Sequence, residues 1–510
     1  MSGLQAKTLE RLEVGIEGFD LVAEGGIPKH RTTLVAGTAG SGKTMFTLQY
    51  LVRGVRDFGH NGVLVTFEEA PDDLARNVRS LGWPLDDYIR EDRIAVVDAS
   101  PEPGEESIET GSYDFSALLA RIEHAVRKVG AQRAVLDAVG AVFPQFKDAH
   151  AVRRELHRVL RGLTRMEVTS LATVERSREY GEISRFGIEE FVADNVVILR
   201  NQLEHEKRRR TIEILKFRGA SHQKGEYPFT IDPRDGVTIV PLSAMGLTHS
   251  SSTVRISSGN SELDEMCSGG LFRDSIILVS GATGTGKTLM VTEFMKAAID
   301  ANEPSLLFAF EESREQLFRN AKSWGVDFKD AEAQGLLKVV CRYPETMGLE
   351  DHLISMKRDI EGFDPKRIAV DSMSALERVS SRKSFREFVI GITAHTKAKE
   401  IAGLFTNTTS MFQGAESVTE AHISTITDSI IMLRYVELQG EMRRGITVLK
   451  MRGSWHDKAI REFTIDDQGM SIRAPYQGIN GILSGTPTYA VEAEQRNLEE
   501  MFAPGPQTVE

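Results

Sequence analysis

Short apolar runs rich in β-branched residues recur along the first half of the chain: TTLVAG (32–37), GVLVTF (62–67), RAVLDAV (133–139), SLATV (170–174) and NVVIL (195–199). Runs this short and this rich in Val, Ile and Thr read as strands buried on both faces. Longer stretches with helical spacing lie between them. In YDFSALLARIEHAVRKVG (113–130), Leu118, Leu119, Ile122 and Val126 fall on one face. Strands alternating with helices predict an α/β fold with a mostly parallel sheet flanked by helices. The later segments NVVILRNQLEHEKRRRTIEILKFRG and SIIMLRYVELQGEMRRGITVLKMRG read instead as strand, turn, strand. Antiparallel strands should therefore extend the sheet at one side.

The pattern is written twice. GTAGSGKTMFTLQYL at Gly37 is echoed 244 positions later by GATGTGKTLMVTEFM at Gly281, and VLVTFEEA (63–70) by LLFAFEES (306–313). RAVLDAVGAV around Asp137 is echoed by RIAVDSMSAL around Asp371, and EILKFRGASH (213–222) by TVLKMRGSWH (447–456). GIEGFDLVAEGGIPK and SGNSELDEMCSGGLFR match at the entries. Five pairs in one order predict a duplication. The polar stretch HSSSTVRISSG (249–259) marks the join, giving domains over 1–248 and 249–485 and a tail over 486–510. The first copy alone carries SPEPGEESIETGSYD (100–114), read as a longer surface loop.

Composition narrows the class. Of 510 residues, 41% are hydrophobic and 27% charged, which excludes a disordered or fibrous chain. Only Cys267 and Cys341 are present, so disulfides cannot carry the fold and a reducing cytoplasm is expected. Acidic residues number 74 against 62 basic ones, a net charge of −12 that argues against a general nucleic-acid surface. No apolar run has membrane-span length, and the N-terminus lacks a signal-peptide core.

The repeated residues point to phosphate chemistry. Gly37, Thr38, Ala39, Gly40, Ser41, Gly42, Lys43 and Thr44 fit G-x-x-x-x-G-K-[ST], as do Gly281, Ala282, Thr283, Gly284, Thr285, Gly286, Lys287 and Thr288. Each follows an apolar strand and precedes a helical run, the context in which this loop cradles ATP. Lys43 and Lys287 are expected on the β/γ-phosphates, with Thr44 and Thr288 on Mg²⁺. Asp137 and Asp371 end apolar strands, where a carboxylate suits the metal's coordination shell. Glu68–Glu69 and Glu311–Glu312 end the neighbouring strand. Successive strand residues face opposite ways, so Glu68 and Glu311 are assigned as bases, with Glu69 and Glu312 tuning them or binding a neighbour. Lys216, Arg218 and His222, with Lys450, Arg452 and His456, follow a strand and could lie against another subunit's nucleotide. Lys207–Arg210 reads as a solvated hairpin tip.

The copies diverge at one telling place. When FVADNVVIL (191–199) is aligned with TITDSIIML (425–433), Ser424 and Thr425 stand where Glu190 and Phe191 stand. Only the second copy offers hydroxyls that could accept a phosphoryl group.

These runs, with EYGEISRFGIEEFVADNVVILR, EHEKRRR, ILKFRGASHQKGEYPFTI, AHISTITD and KMRGSWHDKAIREF, resemble the KaiC family, double-domain RecA/DnaB-like ATPases of circadian clocks. The resemblance spans about residues 7 to 488. It implies two tandem RecA-like P-loop NTPase domains that assemble, with ATP, into a homohexameric double ring. It implies a slow ATPase in the first domain and an autokinase and autophosphatase in the second, which returns phosphate to ADP. It further implies that Ser424 and Thr425 are phosphoacceptors, Thr419 a regulatory threonine and Trp324 a residue near the adenine. A KaiB-like partner is expected, because LLARIEHAVRKVGAQR (118–133) resembles the family's helix for it. An output histidine kinase is a further candidate partner. The region after Met470 departs from the family except at ILSGTPT, which weighs against dependence on a KaiA-like activator. The alternatives are a DNA-dependent ATPase of the same superfamily or a structural ATP-assembled ring.

Overall fold

The computed structural model describes residues 9–100, 115–141, 149–183, 193–204, 207–241, 251–409, 423–438, 440–480, 482 and 488–489. The chain divides into two compact units, Met1–Gly246 and Leu247–Glu510.

The first unit contains β1 (Thr32–Gly37), β2 (Gly62–Thr66), β3 (Ile94–Asp98), β4 (Arg133–Asp137), β5 (Thr169–Glu175), β6 (Asn195–Glu204), β7 (Lys207–Phe217), β8 (Glu226–Asp232) and β9 (Gly236–Ile239). They form one sheet in the order β9-β8-β7-β6-β1-β5-β4-β2-β3. The strands from β6 to β3 pair in parallel, and β6 to β9 run antiparallel. The hydrophobic pattern predicted this mixture, and the long β6–β7 hairpin is the predicted antiparallel extension. Lys207–Arg210 form the start of its returning strand, where Arg208 donates to the Asn201 carbonyl and Arg209 lies beside Glu204.

Helices cover both faces. They include α1 (Lys43–Phe58), α2 (Pro71–Arg79), α3 (Phe115–Val129) and α4 (Ala149–Arg165). On β1 the period of two sorts the core. Val35 packs with Leu48, Tyr50 and Leu51 of α1, while Leu34 and Ala36 pack with Leu118 and Ile122 of α3. Burying each such side chain contributes roughly 1.5–3 kcal/mol, so the two layers fix β1, and the loop after it, at the centre of the sheet. The expected apolar face of α3 forms, with Leu119 half-buried at its margin.

The second unit repeats the design. Its strands are β10 (Ile276–Gly281), β11 (Ser305–Ala309), β12 (Leu337–Cys341), β13 (Arg367–Asp371), β14 (Ala402–Thr408), β15 (Ser429–Leu438), β16 (Glu441–Met451), β17 (Arg461–Asp466) and β18 (Gly469–Pro475). Their order, β18-β17-β16-β15-β10-β14-β13-β11-β12, is the first sheet's order strand for strand. Its helices include α5 (Lys287–Asp300), α6 (Arg314–Ser323), α7 (Leu349–Phe363), α8 (Met373–Arg378), α9 (Arg382–Ala398) and the single turn α10 (Ile423–Ile426). The predicted acidic loop at 101–114 and most of the tail lie outside the described residues. Among the described residues no helix is long and apolar enough to cross a membrane.

Candidate functional site

Each unit carries a phosphate-loop site at the C-terminal edge of its parallel strands. Gly37 ends β1 and Lys43 opens α1; Gly281 ends β10 and Lys287 opens α5. Gly42 and Gly286 cap these helices in the left-handed region, at φ 94° and 109°. A Cβ there would also meet Ile231 Cδ1 at 2.8 Å or Ile465 Cδ1 at 2.9 Å, so glycine is required twice over. Neither cap supplies a side-chain acceptor to the first turn. The helix N–H groups are left for an anion, and the helix dipole favours one. Lys43 Nζ donates to the carbonyls of Gly37 and Thr38, each at 2.9 Å, and Lys287 Nζ to those of Gly281 and Ala282 at 2.8 and 2.9 Å. Burial pushes both lysines down from the usual ammonium range. Glu175, Asp137, Glu68 and Glu179 oppose that shift at Lys43, and Asp371 and Glu311 at Lys287. Among the described residues the first site therefore holds two more carboxylates around its lysine.

The aspartates end β4 and β13 as expected. Asp371 Oδ2 accepts from Thr288 Oγ1 at 2.8 Å, and Oδ1 accepts from Thr406. Asp137 accepts from Thr173 on the matching strand. Burial raises Asp371, and its two hydroxyl donors and Lys287 resist that. A hydroxyl and a carboxylate, both hard oxygen donors, stand together at the foot of the P-loop helix. That donor set fits Mg²⁺.

The paired glutamates correct one expectation. β2 stops at Thr66 and β11 at Ala309, so the glutamates lie beyond the strands, in the turns before α2 and α6. Phe67 and Phe310 take the last contact instead, donating to the carbonyls of Asp137 (2.9 Å) and Asp371 (2.8 Å). Strand alternation cannot separate the two carboxylates there; their partners do. Asn77 reaches Glu69 and Asn320 reaches Glu312, both at 3.3 Å. Glu311 accepts from Ser372 Oγ at 2.9 Å and from Arg378 Nη2 at 2.6 Å. Glu68 is raised by partial burial and then by the charges of Asp137, Glu175 and Glu69. Glu69 and Glu312 are raised by burial and by the nearby aspartate.

The cations contact their own chain, and the lysines do not follow the strand as expected: Lys216 and Lys450 lie at the ends of β7 and β16 but within them, with Arg218 and Arg452 just beyond. Lys216 Nζ donates to the Ala193 carbonyl at 3.1 Å and Lys450 Nζ to that of Thr427 at 2.7 Å. Arg218 pairs with Asp194 at 3.3 Å, and Arg452 donates to the Thr425 carbonyl at 2.8 Å. Both arginine side chains remain more than half exposed. His222 stands edge-on to Phe217, and burial lowers its pKa. Trp324 ends α6, half-buried against the second core. Ser424 and Thr425 sit on α10, with Thr425 exposed. The Ser424 side chain, Thr419, Glu190 and Phe191 lie outside the described residues.

Sequence reasoning missed several partners. Thr173/Thr406 and Asn77/Asn320 recur at matching places in the two copies, so closer comparison of the repeats finds them. Arg378 and Glu179 have no counterpart and no such signal.

A family model described as "ATPase: KaiC" matches residues 12–244 and again 256–477. The circadian clock protein KaiC3 of Synechocystis sp. is 61% identical over 494 residues, covering 97% of this chain and 98% of that protein. The circadian clock oscillator protein KaiC of Thermostichus vulcanus is 53% identical over 502 residues (98% and 96%). That of Synechococcus elongatus is 54% identical over 496 residues (97% and 95%).

Proposed function

Since the chain belongs to the KaiC family of ATPases, we propose that it is an ATP-driven autokinase and autophosphatase, assembled as a homohexameric double ring, that serves as a clock-like timing switch. The observation that carries this reading is an asymmetry between otherwise matching sites. Both units join a P-loop lysine, a strand-end aspartate and a glutamate pair, yet only the second has hydroxyls, Ser424 and Thr425, on the segment held by Lys450 and Arg452.

The chemistry follows from the residues. Lys43 or Lys287 and the uncapped helix N-terminus bind the β/γ-phosphates of ATP. Thr44 and Asp137, or Thr288 and Asp371, would hold Mg²⁺, which would supply charge neutralisation for the phosphate oxygens. In the first unit, Glu68 takes the proton of the attacking water as the bond to ADP breaks. In the second, Glu311 takes it from the hydroxyl of Ser424 or Thr425, and the oxygen gains the phosphoryl group. The reverse transfer returns that group to ADP. Glu69 and Glu312 are kept off this path by Asn77 and Asn320. Lys216, Arg218, Lys450 and Arg452 face a neighbouring subunit's nucleotide once the ring closes. The relatives' printed names, those of circadian clock proteins, support a clock role; a KaiB-like partner and a protein readout such as a histidine kinase are part of the same proposal.

The test is incubation of the full chain with Mg-ATP labelled at the γ-phosphate. Label is expected on Ser424 or Thr425 and should vanish in Glu311→Gln. Absence of label under all nucleotide and partner conditions sinks the kinase reading. Hydrolysis that rises steeply with single-stranded DNA replaces it with a DNA-dependent ATPase. Sedimentation with and without ATP tests the ring.

A further inference from the structure

One contact in the first site has no equivalent among the described residues of the second. Thr38, the second residue of the P-loop, donates through Oγ1 to Glu179 Oε1 at 2.6 Å, across 141 positions of sequence. Glu179 Oε2 accepts from the backbone N–H of Asn201 on β6 at 3.0 Å, and the Asn201 amide donates to the carbonyl of Gly40, also in the P-loop, at 3.3 Å. The backbone around Glu179 is itself fixed. The buried Arg176 guanidinium donates to the carbonyls of Glu179, Gly181 and Glu182, and Arg200 donates to that of Glu179. A closed chain of contacts thus runs from the P-loop through Glu179 to β6 and back to the P-loop.

The second unit has lost both ends of this chain. Ala282 stands at the position of Thr38, and the matching stretch 409–414 (TSMFQG) has no carboxylate. An aliphatic residue paired with a stretch lacking acids cannot form the contact.

We propose that Glu179 is a positioning residue of the first nucleotide site: it clamps the P-loop through Thr38 in the shape that receives the phosphates of ATP. A hydroxyl held by a carboxylate is a charge-assisted bond, stronger than a neutral one. A phosphate loop fixed in advance has less ordering to do on binding, so the effect falls on affinity rather than on the chemical step. This rests on the ATPase reading of the first unit.

The experiment is a double-mutant cycle in the full chain, in a Lys287→Ala background that disables the second P-loop. Thr38→Ala, Glu179→Ala and the pair are compared by KM and kcat for ATP hydrolysis and by direct ATP binding. Each single variant should raise KM about three- to ten-fold while kcat stays within about two-fold. The pair should do no more than either alone. Glu179→Gln, which keeps the size and one acceptor, should have a smaller effect. Additive changes, or an unchanged KM in Glu179→Ala, overturn the clamp and leave the ATPase reading intact. Failure of the unsubstituted first unit to bind ATP overturns both.

Discussion

The guanidinium of Arg378, at the end of α8, lies 2.6 Å from Oε1 of Glu311. Ser372, at the start of the same helix, donates to the other oxygen at 2.9 Å. The carboxylate proposed as the second unit's base is therefore held from both sides by one short helix. In the first unit Pro144 occupies the sequence position of Arg378. Phosphoryl transfer depends on placing the base within hydrogen-bond reach of the attacking hydroxyl. Arg378→Ala should cut labelling of Ser424 and Thr425 by about ten-fold while leaving hydrolysis by the first unit unchanged. Equal loss in both activities would contradict the assignment.

Glu68 sits in a different field. Burial, then Asp137 and Glu175, raise it above the 4.5 of an isolated glutamate. A raised carboxylate takes up its proton earlier as pH falls. ATP hydrolysis by the first unit should thus decline on acidification earlier than an ordinary glutamate would allow. Glu175→Gln removes one raising charge, and the acid limb should move to lower pH. A pH–rate profile of the two proteins checks this, and a limb that stays put rejects it.

Glu293 on α5 takes the place that Gln49 holds on α1. Gln49 pairs with the backbone of the following hairpin, accepting from Val237 N–H and donating to the carbonyls of Asp235 and Val237. Glu293 accepts from Met470 N–H at 2.7 Å, and its second oxygen is buried without a hydrogen-bond partner. Burial pushes its pKa from 4.5 to about 7, against the Met470 and Asn260 contacts and Lys296. The folded state then binds more protons than the unfolded chain between those values. The stability from this group is full below 4.5 and is lost as pH rises through 7. Glu293→Gln should stabilise the second unit by on the order of 1–3 kcal/mol above neutrality, with the gain shrinking toward pH 5. Thermal melts across that range would refute the account if the gain were independent of pH.

Arg133 is fully buried in the first unit and donates to the carbonyls of Glu13, Val14 and Tyr50, with Tyr50 beneath its guanidinium at 4.5 Å. It fastens the entry segment to β4 and α1. Arg133→Ala leaves those buried carbonyls unpaired and opens a cavity, so the first unit should lose about 3–5 kcal/mol. The second unit's counterpart, Arg367, is secured by Glu303 and the Ser257 carbonyl and should melt as before. Calorimetry resolving the two units would show one transition lowered; a joint shift of both would refute a local role.

The sequence by itself determined the duplication, the parallel sheet with its antiparallel extension, both P-loops and the strand-end aspartates. Each of these is local. A glycine-rich turn between a strand and a helix, or an acid closing an apolar run, is written in consecutive residues and repeated in both copies. Tertiary structure alone decided what those residues face. The glutamates' roles were assigned from strand alternation, but the strands end before them, and Asn77, Asn320 and Arg378 tell them apart. The Thr38–Glu179 and Glu293–Met470 contacts join elements more than a hundred positions apart. No period or spacing encodes such contacts. They exist only because hydrophobic burial brings β1, β5 and β6, or α5 and the last hairpin, to the same place, where a buried polar atom must find a partner or go without.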